Sequence, residues 1–308
     1  MAFRNQRIAY GSTLVEEGKQ NSRLVVLDAD LCGSTMGKMF EQEFPDRHYE
    51  MGIAEANMTS VAAGLAQTGW IPFTNSFAVF SAGRAYDQIR QTIAIGNLNV
   101  KIVGSSSGLS DFGDGATHQA IEDLAYMRAI PNMTVICPAD ANETVEAVKA
   151  IINSKGPCYL RLNRNDYDNV TEEAKPFVIG KPSVMKDGRD VVVFATGYMV
   201  SLALQAALEL EGELSVKVVN ISTIKPLDKK LIVELAEDCK GIVTAEEHTI
   251  IGGLGSAVAE ALAKTCKPIE FVGVNDTFGC SGHSYQEVLD HHGLTKEHIM
   301  EAIRGIWK

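Results

Sequence analysis

The sequence contains no hydrophobic run long enough to span a membrane and no excess of positive charge. None of its apolar stretches approaches the about 20 residues of a membrane-spanning helix, and its first residues, Met-Ala-Phe-Arg-Asn-Gln-Arg, lack the apolar core of a signal peptide. Twenty-eight Lys and Arg against 39 Asp and Glu give a formal net charge of −11, which favours solubility and disfavours nucleic-acid binding. We expect no membrane and no nucleic-acid partner. An anionic substrate would need a local cationic pocket.

Cysteine is scarce, and its spacing excludes the common metal and redox motifs. No Cys-x-x-Cys pair occurs among the six cysteines, which are Cys32, Cys137, Cys158, Cys239, Cys266 and Cys280. Scattered thiols of this kind are typical of reduced core residues rather than of disulfides or zinc ligands. We therefore predict core thiols in a cytoplasmic protein.

Apolar runs alternate with helical patterns, without internal repeats or low-complexity tracts. The patterns predict strands at 24–28, 100–103, 133–136, 158–161, 190–194, 216–219, 241–244 and 269–272, and helices at 54–66, 141–153, 201–210 and 255–264. Such alternation is typical of α/β domains in which a parallel sheet carries helices on both faces. A length of 308 residues suits two domains of about 150, so we predict two doubly wound sheets.

A polar segment at 163–182 separates the two series of strands. It loses hydrophobic periodicity and contains Pro176 and Pro182, as linkers often do. We therefore divide the chain into a first domain at 1–165, a linker at 166–185 and a second domain at 186–308.

Glu55 stands where the segment Gly52-Ile-Ala-Glu55 enters an apolar helix. An acid in a first helical turn is favoured by the helix dipole, which is a purely structural role. A carboxylate beside small apolar residues also suits a functional role. Desolvation there favours the protonated form, which can share a proton with a ring nitrogen.

Two phenylalanines follow in the stretch Pro72-Phe-Thr-Asn-Ser-Phe77-Ala-Val-Phe80. If this stretch is helical, Phe77 and Phe80 share one face. They are either core aromatics or a wall for a flat heterocycle.

A glycine-rich loop runs from Ser105 to Gln119 and carries Asp114 and His118 before a helix begins. Loops that a rigid scaffold positions often carry chemistry. His118 alone is equally consistent with a capping or packing role.

Arg161-Leu-Asn-Arg164 ends a predicted strand. Strand ends face the crevice of an open α/β sheet, where an arginine suits an anion such as phosphate. A surface salt bridge is the structural alternative.

Taken in order, these blocks resemble the C-terminal half of the transketolase family. His48-Tyr-Glu-Met-Gly-Ile-Ala-Glu-Ala-Asn-Met is similar to the family's pyrimidine-domain signature, and Asp114-Gly-Ala-Thr-His-Gln to its Glu-Asp-Gly-Pro-Thr-His-Gln loop. Ala29-Asp30-Leu-Cys-Gly-Ser34 resembles its Ala-Asp-Leu-Thr-Pro-Ser segment, and Ala245-Glu-Glu-His-Thr-Ile-Ile-Gly-Gly-Leu-Gly-Ser its C-terminal domain. The resemblance covers nearly the whole chain. It implies a pyrimidine-binding domain for thiamine diphosphate, followed by a transketolase C-terminal-like domain.

The resemblance also implies roles for individual residues. Glu55 would bond the aminopyrimidine ring of thiamine diphosphate and start catalysis, inside a wall of Phe77 and Phe80. Asp30 would lie near the thiazolium, and His118 and Asp114 would hold the ketose hydroxyls, with His118 also catalytic. Ser34 and Arg164 match phosphate-binding positions. Ser106 occupies a substrate-binding position where family members often carry histidine, and the run Ser110-Asp-Phe-Gly also departs from the family pattern. Both departures favour an unusual donor or acceptor sugar.

The diphosphate-binding domain of the family has no counterpart in these motifs. The triplet Gly113-Asp114-Gly115, followed later in the chain by Asn142, is similar to the metal-binding fingerprint of that domain. However, no apolar strand directly precedes the triplet. We predict instead that Asn142 caps a helix and that this chain supplies no ligand to the cofactor's metal. An N-terminal transketolase subunit would then hold the diphosphate and a Mg²⁺ or similar divalent ion, in an alpha2beta2 assembly.

Two other functions remain open at this point. The beta subunit of a 2-oxo acid dehydrogenase shares the two-domain plan, although the Asp114-Gly-Ala-Thr-His-Gln loop favours transketolase. A non-catalytic scaffold subunit is the other alternative, which the presence of Glu55 and His118 disfavours.

Overall fold

The computed structural model describes residues 3–308 and contains two α/β sheets in succession. The first part of the chain forms α1 (Gln6–Gln20), β1 (Leu24–Asp28), α2 (Cys32–Thr35), α3 (Gly37–Glu43), β2 (His48–Glu50), α4 (Glu55–Gln67), β3 (Ile71–Phe77), α5 (Tyr86–Gln88), β4 (Lys101–Ser105), α6 (Asp123–Ala129), β5 (Thr134–Ile136), α7 (Ala141–Asn153) and β6 (Cys158–Arg161). Short π-helical segments at Val79–Arg84 and Ile89–Ala94 flank α5.

The remainder begins after residues 162–182, which contain no helix or strand. Its elements are β7 (Ser183–Lys186), β8 (Val191–Ala195), α8 (Met199–Glu209), β9 (Val216–Asn220), β10 (Thr223–Lys225), α9 (Lys229–Ala236), β11 (Gly241–Thr249), α10 (Leu254–Leu262), β12 (Ile269–Val274), α11 (Tyr285–His291) and α12 (Lys296–Trp307). No helix within residues 3–308 combines the length and the apolar character that a membrane crossing requires.

The first sheet has the strand order β10-β5-β6-β4-β3-β1-β2. Its pairs are parallel except for β10, which joins antiparallel to β5 although it comes from the second half of the chain. Strands β1, β3, β4 and β6 are buried throughout, because helices cover both faces of a parallel sheet. From β1 the chain continues to β2 on one side of the sheet, and from β3 it continues to β4 on the other side. A crevice therefore opens beyond the carboxyl ends of β1 and β3.

The second sheet has the order β12-β11-β8-β9-β7, with β7 as an antiparallel edge strand. Its core packs Val191, Val193 and Val243 against apolar residues of α8 and α12. The predicted fold class of two doubly wound sheets is confirmed, with the refinement that each sheet accepts one antiparallel strand.

The structure departs from the sequence interpretation at the two phenylalanines and at the cysteines. The stretch containing Phe77 and Phe80 is not one helix, because β3 ends at Phe77 and the π-helical segment begins at Val79, so the condition for a shared helical face is not met. Cysteines are also not uniformly core residues. Cys137, Cys158 and Cys239 are buried, whereas Cys32 and Cys280 are half-buried and Cys266 is exposed.

Candidate functional site

A buried polar network closes the floor of the crevice between β1 and β3. The Asp28 carboxylate, at the end of β1, accepts hydrogen bonds from the Thr35 hydroxyl at 2.6 Å and the Asn75 amide at 3.2 Å. Its Oδ2 atom lies 3.0 Å from His48 Nε2. All four side chains are buried. Since each partner restricts the others, the network fixes where the segments after β1 and β3 leave the sheet.

Glu55 is the first residue of α4 and is only 5% exposed. Its Oε1 atom accepts a hydrogen bond from Arg84 Nη1 at 3.2 Å. The same guanidinium lies over the Phe80 ring, 4.2 Å from the centroid. Arg84 is half exposed, so the pair is open to solvent on one side and is able to exchange partners.

The rings of Phe77, Phe80 and His118 form an aromatic corner beside the Glu55 carboxylate. The rings of Phe77 and Phe80 stack with centroids 6.1 Å apart and an interplanar angle of 17°. His118 meets both rings edge-on, with its centroid 6.2 Å from Phe77 and 5.2 Å from Phe80. The structure therefore brings together three of the predicted site residues, although not through the shared helical face expected from the sequence.

The loop between β4 and α6 carries the polar residues of the site. Ser106 is fully buried with φ of +50°, and its Oγ atom has no hydrogen-bond partner. A left-handed backbone is unusual for a residue other than glycine, asparagine or aspartate, and a buried orphan hydroxyl is uncommon. Asp114 is exposed, whereas His118 is half-buried with Nδ1 2.9 Å from the Thr117 hydroxyl.

Glu247, on β11 of the second sheet, makes hydrogen bonds that hold this loop in place. Its carboxylate accepts a hydrogen bond from the Leu109 backbone N–H at 2.7 Å and from the Asn163 amide at 3.1 Å. Gly108 has φ of +61° and leaves no room for a Cβ atom against the Glu247 side chain. Burial raises the pKa of the Glu247 carboxyl to about 7, against the opposing effects of Arg161 and these hydrogen bonds.

The two arginines predicted at the end of β6 have different environments. Arg161 is buried, and its Nε atom donates to the Asp123 carboxylate at 2.8 Å, so it is not available to an anion. Arg164 is 36% exposed, donates to Asp111 at 2.7 Å and lies 5.9 Å from the Phe77 ring centroid. Only Arg164 therefore has access to the aromatic corner.

Arg7 of α1 adds a second cation beside Arg164. Its Nη1 atom donates to the Ser34 carbonyl at 2.8 Å and its Nη2 atom to the Arg164 carbonyl at 2.9 Å. Its Nε atom is buried and has no hydrogen-bond partner. Burial, followed by repulsion from Arg164, lowers the pKa of the Arg7 guanidinium. Arg7 thus links Ser34 to Arg164, two residues that the sequence analysis assigned to one anion site.

The Asp111 carboxylate lies beside Arg164 and offsets part of the positive charge of the two arginines. Its side chain is 3% exposed, and burial raises the pKa of its carboxyl, with Arg164 acting in the opposite direction and Asp114 in the same one. A buried carboxylate beneath the arginine pair holds Arg164 in place and reduces the net positive charge.

Asp30 lies at the rim of the crevice. It is exposed, has φ of +58°, and its backbone N–H donates to the Glu50 carboxylate at 2.7 Å. Ser34 is half-buried in the short helix α2. Both residues follow β1, which places them at the carboxyl edge of the first sheet.

Asn142 is not a helix cap. Asp140 caps α7 by accepting from the Glu143 N–H at 2.9 Å. The Asn142 amide instead donates to the Thr171 carbonyl and accepts from the Asn169 amide. The side chain is thus committed to residues of the segment between the sheets.

Four contributors to the site were not predicted from the sequence: Arg7, Arg84, Asp111 and Glu247. Asp111 lies within the loop from Ser105 to Gln119, and Arg84 follows four residues after Phe80. Arg7 lies far away in the chain and carries no local signal, and Glu247 lies in the motif at Ala245, which was used only for the family resemblance.

Comparisons with known proteins agree with this geometry. The family "Transketolase, pyrimidine binding domain" matches residues 4–169, and "Transketolase, C-terminal domain" matches residues 180–299. A putative transketolase C-terminal section from Methanocaldococcus jannaschii is 46% identical across 98% of this chain and 96% of its own length.

Two further relatives have equally full coverage. A 6-deoxy-6-sulfo-D-fructose transketolase subunit from Clostridium sp. is 42% identical across 97% of this chain and 94% of its own length. A solved structure described as a split gene transketolase, inactive beta4 tetramer, superposes with a TM-score of 0.90 at 45% identity, covering 99% of this chain and 98% of that one.

Proposed function

This chain belongs to the transketolase family, and from its site we propose that it is the pyrimidine-binding subunit of a two-chain transketolase. The enzyme would move a two-carbon ketol unit from an anionic ketose to an aldose. The observation that carries the proposal is the buried Glu55 carboxylate at the start of α4, beside the aromatic corner of Phe77, Phe80 and His118.

The corner fits the pyrimidine half of thiamine diphosphate. Two stacked phenyl rings offer a flat apolar wall, and one oxygen of a nearly buried carboxylate is bonded only to a half-exposed arginine. When bound, thiamine diphosphate supplies the electron sink that carries the two-carbon unit. Glu55 would bond a ring nitrogen of the pyrimidine and hold a proton there, which requires the Glu55–Arg84 pair to loosen.

His118 and Asp114 would orient the hydroxyl groups of the sugar. His118 Nδ1 is engaged with Thr117 and the ring edge packs on Phe80, which leaves Nε2 for a substrate hydroxyl. A histidine in that position is suited to moving a proton at the carbonyl or hydroxyl oxygen. Asp30, exposed at the crevice rim, would act near the thiazolium.

The anionic end of the sugar would lie between Arg164, Ser34 and Ser106, with Arg7 as the additional cation. The Arg7 guanidinium donates to the Arg164 carbonyl, and the orphan Ser106 hydroxyl is a group that a ligand oxygen or a bridging water would satisfy. A relative named for 6-deoxy-6-sulfo-D-fructose supports an anionic ketose, whether phosphate or sulfonate.

Arg164→Ala is expected to weaken substrate binding more than it slows the chemical step. Losing a hydrogen bond to a charged group costs roughly 1.5–3 kcal/mol, or about 10- to 150-fold in affinity. The loss should appear mainly in KM and should shrink for an uncharged ketose, as measured with the reconstituted enzyme.

Asp111→Asn is the matched control for Arg164→Ala. It removes the buried partner of Arg164 while keeping the arginine, so KM for the anionic ketose should stay the same or fall. If Arg164→Ala raises KM equally for charged and uncharged donors, Arg164 has only a structural role.

A partner chain would complete the enzyme. The two matched families cover both halves of this chain, and neither is a diphosphate-binding domain. A similar chain described as an inactive beta4 tetramer supports dependence on a second subunit. We propose that an N-terminal transketolase subunit holds the diphosphate and its divalent ion in an alpha2beta2 assembly. Domain boundaries at 1–165 and 186–308, and a cytoplasmic location, stay predictions.

Turnover of ketoses against 2-oxo acids tests the reaction class. The reconstituted pair should transfer a two-carbon unit from a ketose to an aldose and leave 2-oxo acids unchanged. Decarboxylation of a 2-oxo acid without ketol transfer would instead identify a 2-oxo acid dehydrogenase component. A reconstituted pair with neither thiamine diphosphate binding nor either activity would identify a scaffold subunit.

A further inference from the structure

A cysteine and two histidines meet in the second half of the chain, outside the site described above. Cys280 lies between β12 and α11, His291 is the last residue of α11, and His292 follows it. One donor atom of each residue lies within 4.8 Å of the other two. Within residues 3–308, no second group of three such ligands has this spacing.

The Cys280–His292 distance suits a shared metal ion. Cys280 Sγ lies 3.7 Å from His292 Nε2. Zinc bonds of about 2.3 Å to sulfur and about 2.0–2.1 Å to nitrogen, at a tetrahedral angle, place the two donor atoms about 3.6 Å apart. A simple thiol–imidazole hydrogen bond would also give this distance. A metal ion would in addition engage His291, whose donor atom lies within 4.8 Å of the other two.

We propose that Cys280, His291 and His292 form a binding site for a transition-metal ion of the zinc class. A thiolate and two imidazoles favour Zn²⁺ over Mg²⁺ or Ca²⁺, which prefer oxygen ligands. Three protein ligands leave one tetrahedral position for water or a further ligand. The proposal differs from the sequence-based prediction that none of the cysteines is a zinc ligand.

The site is accessible from solvent. His291 is exposed, and Cys280 and His292 are half-buried. Both histidines line an open groove of about 600 Å³, together with Asn275, His298 and Glu301. An ion can therefore enter without opening the fold.

The cluster is directly connected to the loop between β4 and α6. The Gln119 amide donates to the Cys280 carbonyl at 2.9 Å, and the Gly282 N–H donates to the Phe112 carbonyl at 2.8 Å. A metal that joins Cys280 to the end of α11 would hold the segment on which the substrate loop rests. Its ligands are not among the residues of the proposed active site, so the ion would act on that site only through the position of this segment.

Metal titration of the full-length chain tests the proposal. Chain stripped with a chelator should bind one Zn²⁺ in the presence of excess Mg²⁺, and bound Co²⁺ should show thiolate-to-metal charge-transfer absorption. Cys280→Ser and His292→Ala should each weaken Zn²⁺ binding at least about tenfold, because each removes a direct ligand. Cys266→Ser and His283→Ala are matched controls, since both residues are exposed, and they should bind like the unmodified chain.

Three outcomes would overturn the site. They are equal Zn²⁺ affinity in Cys280→Ser and the unmodified chain, displacement of Zn²⁺ by Mg²⁺, and a Co²⁺ complex without the thiolate band. If Cys280→Ser folds poorly, His291→Ala provides an independent test of the site. His291 is exposed, so its loss leaves the core intact. Because the assay needs neither thiamine diphosphate nor a partner, its result does not depend on the proposed transketolase activity.

Discussion

Glu55→Gln should lower ketol transfer by the reconstituted enzyme about 10²- to 10⁴-fold, the range that a positioned proton-transfer group typically contributes. Glutamine keeps the size of the side chain, but it cannot hold the proton shared with a pyrimidine nitrogen. Folding should be almost unaffected, because the ion pair that Glu55 loses involves a half-exposed Arg84, and such pairs contribute about 0–1 kcal/mol. Initial rates and urea denaturation measure the two effects.

Glu146→Gln is the matched control for the loss of a paired carboxylate. Glu146 is 13% exposed and forms an ion pair with Lys149 within α7, away from the aromatic corner. It should leave transfer unchanged. Near-normal activity of Glu55→Gln would mean that the pyrimidine is held by another residue and that the assignment of the corner is wrong.

Arg161→Met should destabilise the chain by about 3–5 kcal/mol, the usual cost of removing one partner of a buried ion pair. Asp123 is fully buried and would be left without its cation. The guanidinium also donates to the Ala120 and Glu247 carbonyls at 3.1 and 2.9 Å, so its loss leaves unsatisfied acceptors where the two sheets meet. Urea denaturation at neutral pH measures the change.

Arg304→Met provides the comparison with an exposed pair. Arg304 makes two hydrogen bonds to Glu213, but both side chains are about half exposed, so the loss should be small compared with that of Arg161→Met. The double variant Arg161→Met with Asp123→Leu should recover much of the stability, because the unpaired charge disappears. Equal losses for Arg161→Met and Arg304→Met would contradict the buried-pair account.

Buried strands and amphipathic helices were predictable from local pattern. β1, β6 and α7 coincide residue for residue with the predicted segments at 24–28, 158–161 and 141–153. β2, β3, β7 and β10 were missed. β2 and β10 have only three residues each and depend on their neighbours for pairing, whereas β3 lies in the stretch considered as a possible helix and β7 is an edge strand. β11 extends to Thr249, past the predicted end at 244, because its buried Glu246 and Glu247 find hydrogen-bond partners in the folded chain that hydropathy does not register.

The candidate site was also predictable from the sequence only in part. Glu55, Phe77, Phe80 and His118 lie in contiguous motifs, and their types and order were enough to select them. Their placement depends on contacts across long sequence separations, such as Arg7 with the Arg164 carbonyl and Glu247 with the Leu109 N–H, which are 157 and 138 residues apart. Those contacts follow from tertiary packing, which local periodicity does not specify.

Calorimetric titration of thiamine diphosphate with Mg²⁺ into the chain, alone and then with the N-terminal subunit, tests most directly whether this chain is half of an enzyme. We expect no tight binding and no turnover by the chain alone, and both to appear when the partner is added. Micromolar binding with a bound metal ion by the isolated chain would contradict the account.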